Sequence, residues 1–360
     1  MKYTFRSPGR INLIGEHTDY NGGYVLPAAI NKYTYITFEE SDHFEVHSDY
    51  FDRSASFDLG WEKEEDDWIN YVKGAVYFVA REMRRYINKW KIEISSDLPV
   101  GAGLSSSASL VVGIVYGLSK LENLGWHRIE IAKIAHEVEN NFVGVKCGIM
   151  DQYAVTMGKK DSFIFLDAWS EAFEYIRVKR FPIITIIDSG VKHELSDGEY
   201  NKRRMECKAV ENIIGRRFGS MSSRVIEEKR SELGEKLYKR ARHVVEENDR
   251  VLKATNFMET RNWKELGELL YESHKSLRDL FEVSTNEIDF IVEKLGNIRS
   301  VYGARMIGGG FGGSVLALSR GYFDKDLKEL SQEYKKAFGI NMKIYHVKLS
   351  GGVRKCKNIS

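Results

Sequence analysis

The sequence predicts an α+β protein of two lobes, residues 1–175 and 176–360, each a mixed or antiparallel sheet with helices, and a ligand cleft between them. Three observations lead there. Strand-length runs rich in alternating, β-branched and aromatic residues mix with amphipathic helical stretches in the first half. The texture then changes, so that residues 198–297 read as long charged helices before strands return near the end. No repeat and no low-complexity linker separates the halves, so the lobes should pack closely, and lobe interfaces favour ligand sites.

The opening "PGRINLIGEHTDYNGGYVLP" (8–27) reads as turn-rich, with Pro-Gly near one end and Asn-Gly-Gly near the other. Strands follow at 33–40 ("YTYITFEE") and 43–48. Residues 68–83 read as a helix with Ile69, Val72, Val76, Phe78 and Val79 on its apolar face. A strand at 89–99 ends on Pro99, and a glycine-serine loop then runs into an apolar helix. Residues 127–144 form one amphipathic helix, with Ile131, Ile134, Ala135, Val138 and Phe142 on one side. A short helix at 149–157, strands at 162–168 and 181–190, and the helical insert come next. The chain closes with strand, glycine loop and strand (303–319), a helix (325–338) and a last strand (341–350).

Composition excludes several classes. Hydrophobic residues at 42% and charged residues at 29% are ordinary for a globular protein. A net charge of +2 gives no global field for nucleic acid, so phosphates would have to be met by local geometry. Cys147, Cys207 and Cys356 are odd in number and far apart, which rules out a disulfide framework and a CxxC zinc site and makes a reducing cytoplasm the default. "MKYTFRSPGR" has no apolar core of a signal peptide, and no stretch is long and apolar enough to span a membrane. Glutamine occurs only at 152 and 332 amid abundant Lys, Arg and Glu, a leaning of heat-adapted proteins.

Two glycine loops carry chemistry. In "PVGAGLSSSAS" (99–109), Gly101 and Gly103 free the backbone for close approach, and Ser105, Ser106 and Ser107 add hydroxyls at the start of a helix. A helix N-terminus presents free N–H groups and partial positive charge, which suits a nucleotide phosphate. The loop lacks the Gly-Lys-Ser/Thr of a Walker A motif and has Ser106 where a dinucleotide loop needs glycine. Glycine-serine loops also cap helices for purely structural reasons. "GGGFGGS" (308–314) is either a tight bulge between strands or a point of close backbone approach. The cluster Arg10, Glu16, His17 and Asp19 could be a solvated loop, an ion-pair cluster, a metal site or a polar-ligand pocket. A zinc site is disfavoured, because "EHTD" offers one histidine and "HEVE" (136–139) is not HExxH. His136 and His193 belong to no motif and read as structural or solvent-facing.

"GRINLIGEHTDYNGGYVLP", "PVGAGLSSSAS", "CGIMDQYA" (147–154) and "GARMIGGGFGGS" occur in that order and span residues 9–314. Together they resemble the signature motifs of the galactokinases, within the GHMP superfamily of sugar and small-molecule kinases. The resemblance implies the two-lobed GHMP kinase fold with its active site in the cleft. It implies Mg²⁺-dependent transfer of phosphate from ATP to the C1 hydroxyl of D-galactose, by a cytoplasmic monomer or homodimer with no nucleic-acid or membrane partner. Residue by residue it implies Asp151 as the group that orients or deprotonates the hydroxyl and Arg10 as its cationic partner. The sugar would meet Glu16, His17, Asp19, Gly148, Asp151 and Tyr200. ATP would lie on Gly101, Ala102, Gly103, Leu104, Ser105, Ser106 and Ser107, with Trp68 and Tyr71 near the adenine, and Mg²⁺ on Ser107 and Glu139.

The residue types fit these roles. Carboxylates accept hydroxyl hydrogens in pairs and histidine can do either. Phosphoryl transfer asks for positioning and charge offset more than covalent help. Each assignment has a plainer reading beside it. Asp151 could simply cap its helix, Glu139 could be a partnered edge carboxylate, Tyr200 a helix-face aromatic, and Trp68 with Tyr71 a core pair. A non-catalytic sensor of galactose and ATP, or a sibling kinase acting on N-acetylgalactosamine or another sugar, are the competing readings. The intact "LSSSAS" and the presence of Asp151 favour catalysis.

Overall fold

A computed structural model describes residues 1–65, 67–99, 101–191 and 196–356. His193 and Val100 lie outside the described residues. In chain order the first half runs β1 (Lys2–Asn12), β2 (Tyr24–Val25), β3 (Pro27–Glu40), β4 (Phe44–Ser48), β5 (Arg53–Phe57), α1 (Asp67–Met83), β6 (Trp90–Ser96), α2 (Ser106–Leu121), α3 (Arg128–Glu137), α4 (Met150–Met157), β7 (Ser162–Asp167) and β8 (Phe173–Arg177). The second half runs β9 (Ile183–Asp188), α5 (Ser196–Ile214), α6 (Ser223–Glu228), α7 (Arg230–Glu259), α8 (Trp263–Ser276), α9 (Asn286–Gly296), β10 (Val301–Ile307), β11 (Ser314–Ser319), α10 (Asp324–Phe338), β12 (Lys343–Val347) and β13 (Arg354–Lys355).

The first lobe is built on a six-stranded sheet in the order β13-β1-β3-β6-β4-β5, mixed because β4 and β6 run parallel. A small sheet, β2-β7-β8, lies beside it. The second lobe carries the antiparallel sheet β10-β11-β9-β12. The expected division after residue 175 falls inside β8, and β13 returns from the far end of the chain to pair with β1. The lobes are therefore interleaved. One apolar cluster unites Ile11, Leu13 and Leu98 from the first lobe with Ile184, Leu316 and Val251 from the second, so both share a continuous core.

Two local features place functional residues where the sequence pattern alone did not. The segment expected to be turn-rich begins instead as the end of β1. Pro8 and Gly9 are absorbed by a bulge between Pro8 and Arg10 in the pairing with β3, so Arg10 projects from a strand. The helix expected over 127–144 ends at Glu137 and continues as a π-helical turn over Val138–Val143, closed by Gly144 at φ +97°. The extra residue in that turn rotates Glu139 inward, where it is 3% exposed.

Candidate active site

β1 carries Arg10 into the cleft, and α4 brings Asp151 to it. Arg10 Nε and Nη2 donate to the two Asp151 carboxylate oxygens at 2.6 and 2.9 Å, a bidentate pair. Arg10 Nη1 donates to the Gly103 carbonyl at 2.5 Å. The Ser105 hydroxyl donates to the same Asp151 carboxylate. Asp151 lies in the first turn of α4, past the N-cap residue Ile149, and its carboxylate is taken up by Arg10 and Ser105.

The two glycine loops meet at this pair. A Cβ on Gly103 would lie 3.0 Å from the Ile307 carbonyl, so only glycine allows the contact. Ala102 and Leu104 turn their side chains into the core shared by the lobes and can offer a ligand only backbone. Ser105 precedes α2 in the left-handed region at φ +59° and gives the helix no side-chain cap. The first N–H groups of α2 are thus left to an anion, and strain of this kind gathers at functional sites.

Arg10, Glu16, His17, Asp19, Gly148, Asp151 and Tyr200 line one cavity of about 480 Å³ together with Gly101, Gly103 and the second glycine loop. Glu16 is largely committed within the protein. Its Oε1 accepts from Arg305 Nη2 at 3.0 Å and from the Gly308 N–H at 3.1 Å. His17 is held neutral, its pKa pushed down to about 3 by burial and by the neighbouring His243 and Arg203. Its Nδ1 hydrogen-bonds the Tyr20 hydroxyl at 2.9 Å, while its buried Nε2 has no partner among the described residues. Burial, with the Asp151 charge adding, pushes Asp19 up to about 7. Gly148 lies so close to Asp19 that a Cβ would collide with the carboxylate. The Tyr200 ring stands 5.6 Å from His17 and 5.4 Å from Tyr20, centroid to centroid.

Ser107 and Glu139 sit next to one another beyond Asp151. Burial raises Glu139 to about 7, opposed by a hydrogen bond from Ser107. The Gln152 amide also donates to Glu139, while its Oε1 is buried without a partner among the described residues. Among the described residues no cluster of three or more His, Cys, Asp or Glu could hold a metal ion. Mg²⁺ needs no such cage, since it binds through one or two carboxylates, waters and substrate phosphates. One hydroxyl and one carboxylate beside a helix N-terminus fit that habit.

Trp68 and Tyr71 are not brought to the cavity. They pack against the core of the first lobe, with Trp68 stacked 5.4 Å from Phe51. His136 bonds the Cys147 carbonyl at 3.1 Å and is structural. Sequence reasoning missed Tyr20, Cys147 and Phe311 in the lining and the buried partners Arg305 and Glu247. For Phe311 the signal was present, embedded in the second glycine loop.

Three family models match the chain. "GHMP kinases N terminal domain" covers residues 70–159, "GHMP kinases C terminal" covers 252–338, and "Galactokinase galactose-binding signature" covers 2–39. The last contains Arg10, Glu16, His17 and Asp19. A galactokinase of Thermotoga petrophila is 46% identical over 356 residues, 97% of this chain and 99% of that protein. One of Pyrococcus furiosus is 40% identical over 98% of this chain and 99% of that protein. The structure of Lactococcus lactis galactokinase complexed with galactose superposes with a TM-score of 0.93 at 34% identity, covering 99% of this chain and 95% of that one. The structure described as "L. major mevalonate kinase in complex with R-mevalonate" shares the fold at 18% identity and a TM-score of 0.68, over 96% of this chain and 95% of that one.

Proposed function

The chain belongs to the galactokinases of the GHMP kinase superfamily and phosphorylates galactose with ATP; on that premise we propose that Arg10 and Asp151 carry the transfer of the γ-phosphoryl group to the C1 hydroxyl. The observation that supports this most is the bidentate Arg10–Asp151 pair at the point where the two glycine loops touch. A hydroxyl laid against Asp151 lies within reach of a phosphate held on the uncapped start of α2. Arg10 holds the carboxylate in place through its two hydrogen bonds and offsets charge on the moving group. The loose transition state of phosphoryl transfer asks Asp151 to orient the hydroxyl at least as much as to remove its proton.

The sugar lies against His17, Asp19, Gly148 and Tyr200, with Glu16 holding the glycine loop as well as facing the cavity. His17 Nε2, buried and without a partner among the described residues, is a polar atom that a sugar hydroxyl would satisfy. An epimer that cannot reach such groups leaves them buried and unpaired, and rejection of this kind is strong. ATP would bind by its phosphates along residues 101–107; Trp68 and Tyr71, packed on the first-lobe core outside the cavity, would flank the adenine only if the nucleotide extends beyond that cavity towards α1. Ser107 and Glu139 would hold Mg²⁺, which supplies charge neutralisation on the β- and γ-phosphates. The three cysteines are free and no described helix is long and apolar enough to cross a membrane, both in keeping with a cytoplasmic enzyme.

The test is a comparison of kcat/KM for galactose, glucose, N-acetylgalactosamine and 2-deoxygalactose, with the product identified by phosphorus NMR. Galactose should be preferred and yield the 1-phosphate. A preference for glucose, or phosphate at another hydroxyl, overturns the reading.

A further inference from the structure

The sugar-binding segment is shaped by a helix that never enters the cavity. α7 comes from the charged insert, yet after a break at Gly234 one face of it is deeply buried. Glu247 on that face is fully buried, and its carboxylate accepts from four donors. Two are backbone N–H groups of the sugar motif, Gly15 at 3.0 Å and Glu16 at 3.3 Å. The others are the Ser273 hydroxyl at 2.7 Å and Arg250 Nε at 2.7 Å. One turn earlier His243 Nε2 donates to the Glu16 carbonyl at 3.2 Å; a carbonyl can only accept, so the proton sits on Nε2 and Nδ1 accepts from the Ser276 hydroxyl at 2.8 Å. The adjacent Asn248 Oδ1 accepts from the Tyr24 N–H at 2.9 Å.

The N–H and C=O of Glu16 are thus both gripped by one helix. The next residue, His17, sits in the left-handed region at φ +62°, a conformation that persists in a non-glycine residue only where its surroundings enforce it. Beneath it the Phe281 ring lies between the rings of His17 and His243, with centroids 4.7 and 4.5 Å away. Helical spacing places residues 243 and 247 on one stripe, so both grips come from a single rigid surface.

We infer that the His243–Glu247–Asn248 face of α7 is a positioning set for the galactose-binding segment. It holds residues 15–24 in the shape that aims His17 and Asp19 at the sugar, and so sets affinity for galactose without touching it. The inference rests on the cavity being the sugar site. It places specificity partly in the helical insert, far in sequence from every signature motif.

Steady-state KM values for galactose and for ATP, with melting curves, test this on wild type, Glu247→Gln, His243→Gln, Asn248→Ala and Asn248→Asp. A misaimed binding group weakens affinity steeply. Glu247→Gln and His243→Gln should therefore raise the galactose KM on the order of tenfold and leave the ATP KM within about twofold. Asn248→Ala should raise the galactose KM by roughly threefold, and Asn248→Asp, which keeps the accepting oxygen, should restore it. A galactose KM that stays at the wild-type value, or that rises only in step with the ATP KM, overturns the inference. If Glu247→Gln does not fold, the Asn248 pair decides by the same criterion. A wild-type protein that fails to phosphorylate galactose sinks the reading of the cavity itself, which separates that failure from this one.

Discussion

Replacing Arg305 with methionine should loosen the joint between the lobes. Arg305 is fully buried on β10 of the second lobe and donates to four acceptors. Three are carbonyls: Leu13 at 2.7 Å, Met306 at 2.7 Å and Asn12 at 2.6 Å. The fourth is Glu16 Oε1 at 3.0 Å. Methionine fills much of the volume but leaves the Glu16 carboxylate in the interior with the Gly308 N–H as its remaining close donor. Removing one partner of a buried ion pair costs about 3–5 kcal/mol, because a charge is left uncompensated. That is a large share of the 5–15 kcal/mol by which a typical domain is stable, which the fold should survive. At roughly 1.3 °C per kcal/mol for a chain of this size, Tm should fall by about 4–7 °C in scanning calorimetry. The galactose KM should rise as well, since Glu16 loses its anchor beside the sugar cavity. A Tm within about 2 °C of wild type, with an unchanged KM, would refute the reasoning that this pair bolts the lobes together.

Asp19 gives a prediction in pH. Its folded pKa is raised from 3.8 to about 7, chiefly by burial. The folded state therefore binds its proton more tightly than the unfolded chain, so this group's contribution to stability is lost as pH rises between those values. Asp19→Asn removes the titration, so its Tm relative to wild type should climb from pH 4 to pH 7 and level off above; a difference that is flat in pH contradicts the buried, underpartnered carboxylate. If Glu139 holds Mg²⁺ as proposed, Glu139→Gln should raise the Mg²⁺ concentration needed for half-maximal ADP release on the order of tenfold, while the galactose KM holds. An unchanged Mg²⁺ dependence would place the metal elsewhere.

The signature loops were legible as a set: "GEHTD" or the glycine-serine loop alone leaves several readings open, and only their occurrence together and in order resembles one family. Arg10's setting was not legible in this way, since Pro8-Gly9 suggested a turn and pairing with β3 instead absorbed them in a bulge. Apolar periodicity gave the helix from 127 onward but not the π-helical turn that swings Glu139 inward, because one inserted residue leaves no mark on the pattern. Arg305 and Glu247 were invisible for a different reason. In a chain with 29% charged residues, a buried arginine or glutamate looks like its many solvent-facing neighbours. Their partners in the sugar motif lie 289 and 232 residues away in sequence. Only tertiary structure shows that one closes the lobes and the other grips the backbone beside His17.

The central claim is that Asp151, held by Arg10, handles the hydroxyl that attacks ATP. The measurement that tests it most directly is galactose-dependent ADP release by Asp151→Asn, beside the dissociation constant for ATP in the same preparation. The substitution keeps shape and removes the charge that accepts from the hydroxyl and from Arg10. Turnover should drop by at least about 10²-fold, the usual contribution of such a group, with ATP affinity within a few-fold of wild type. Turnover at the wild-type rate would contradict the role assigned to Asp151.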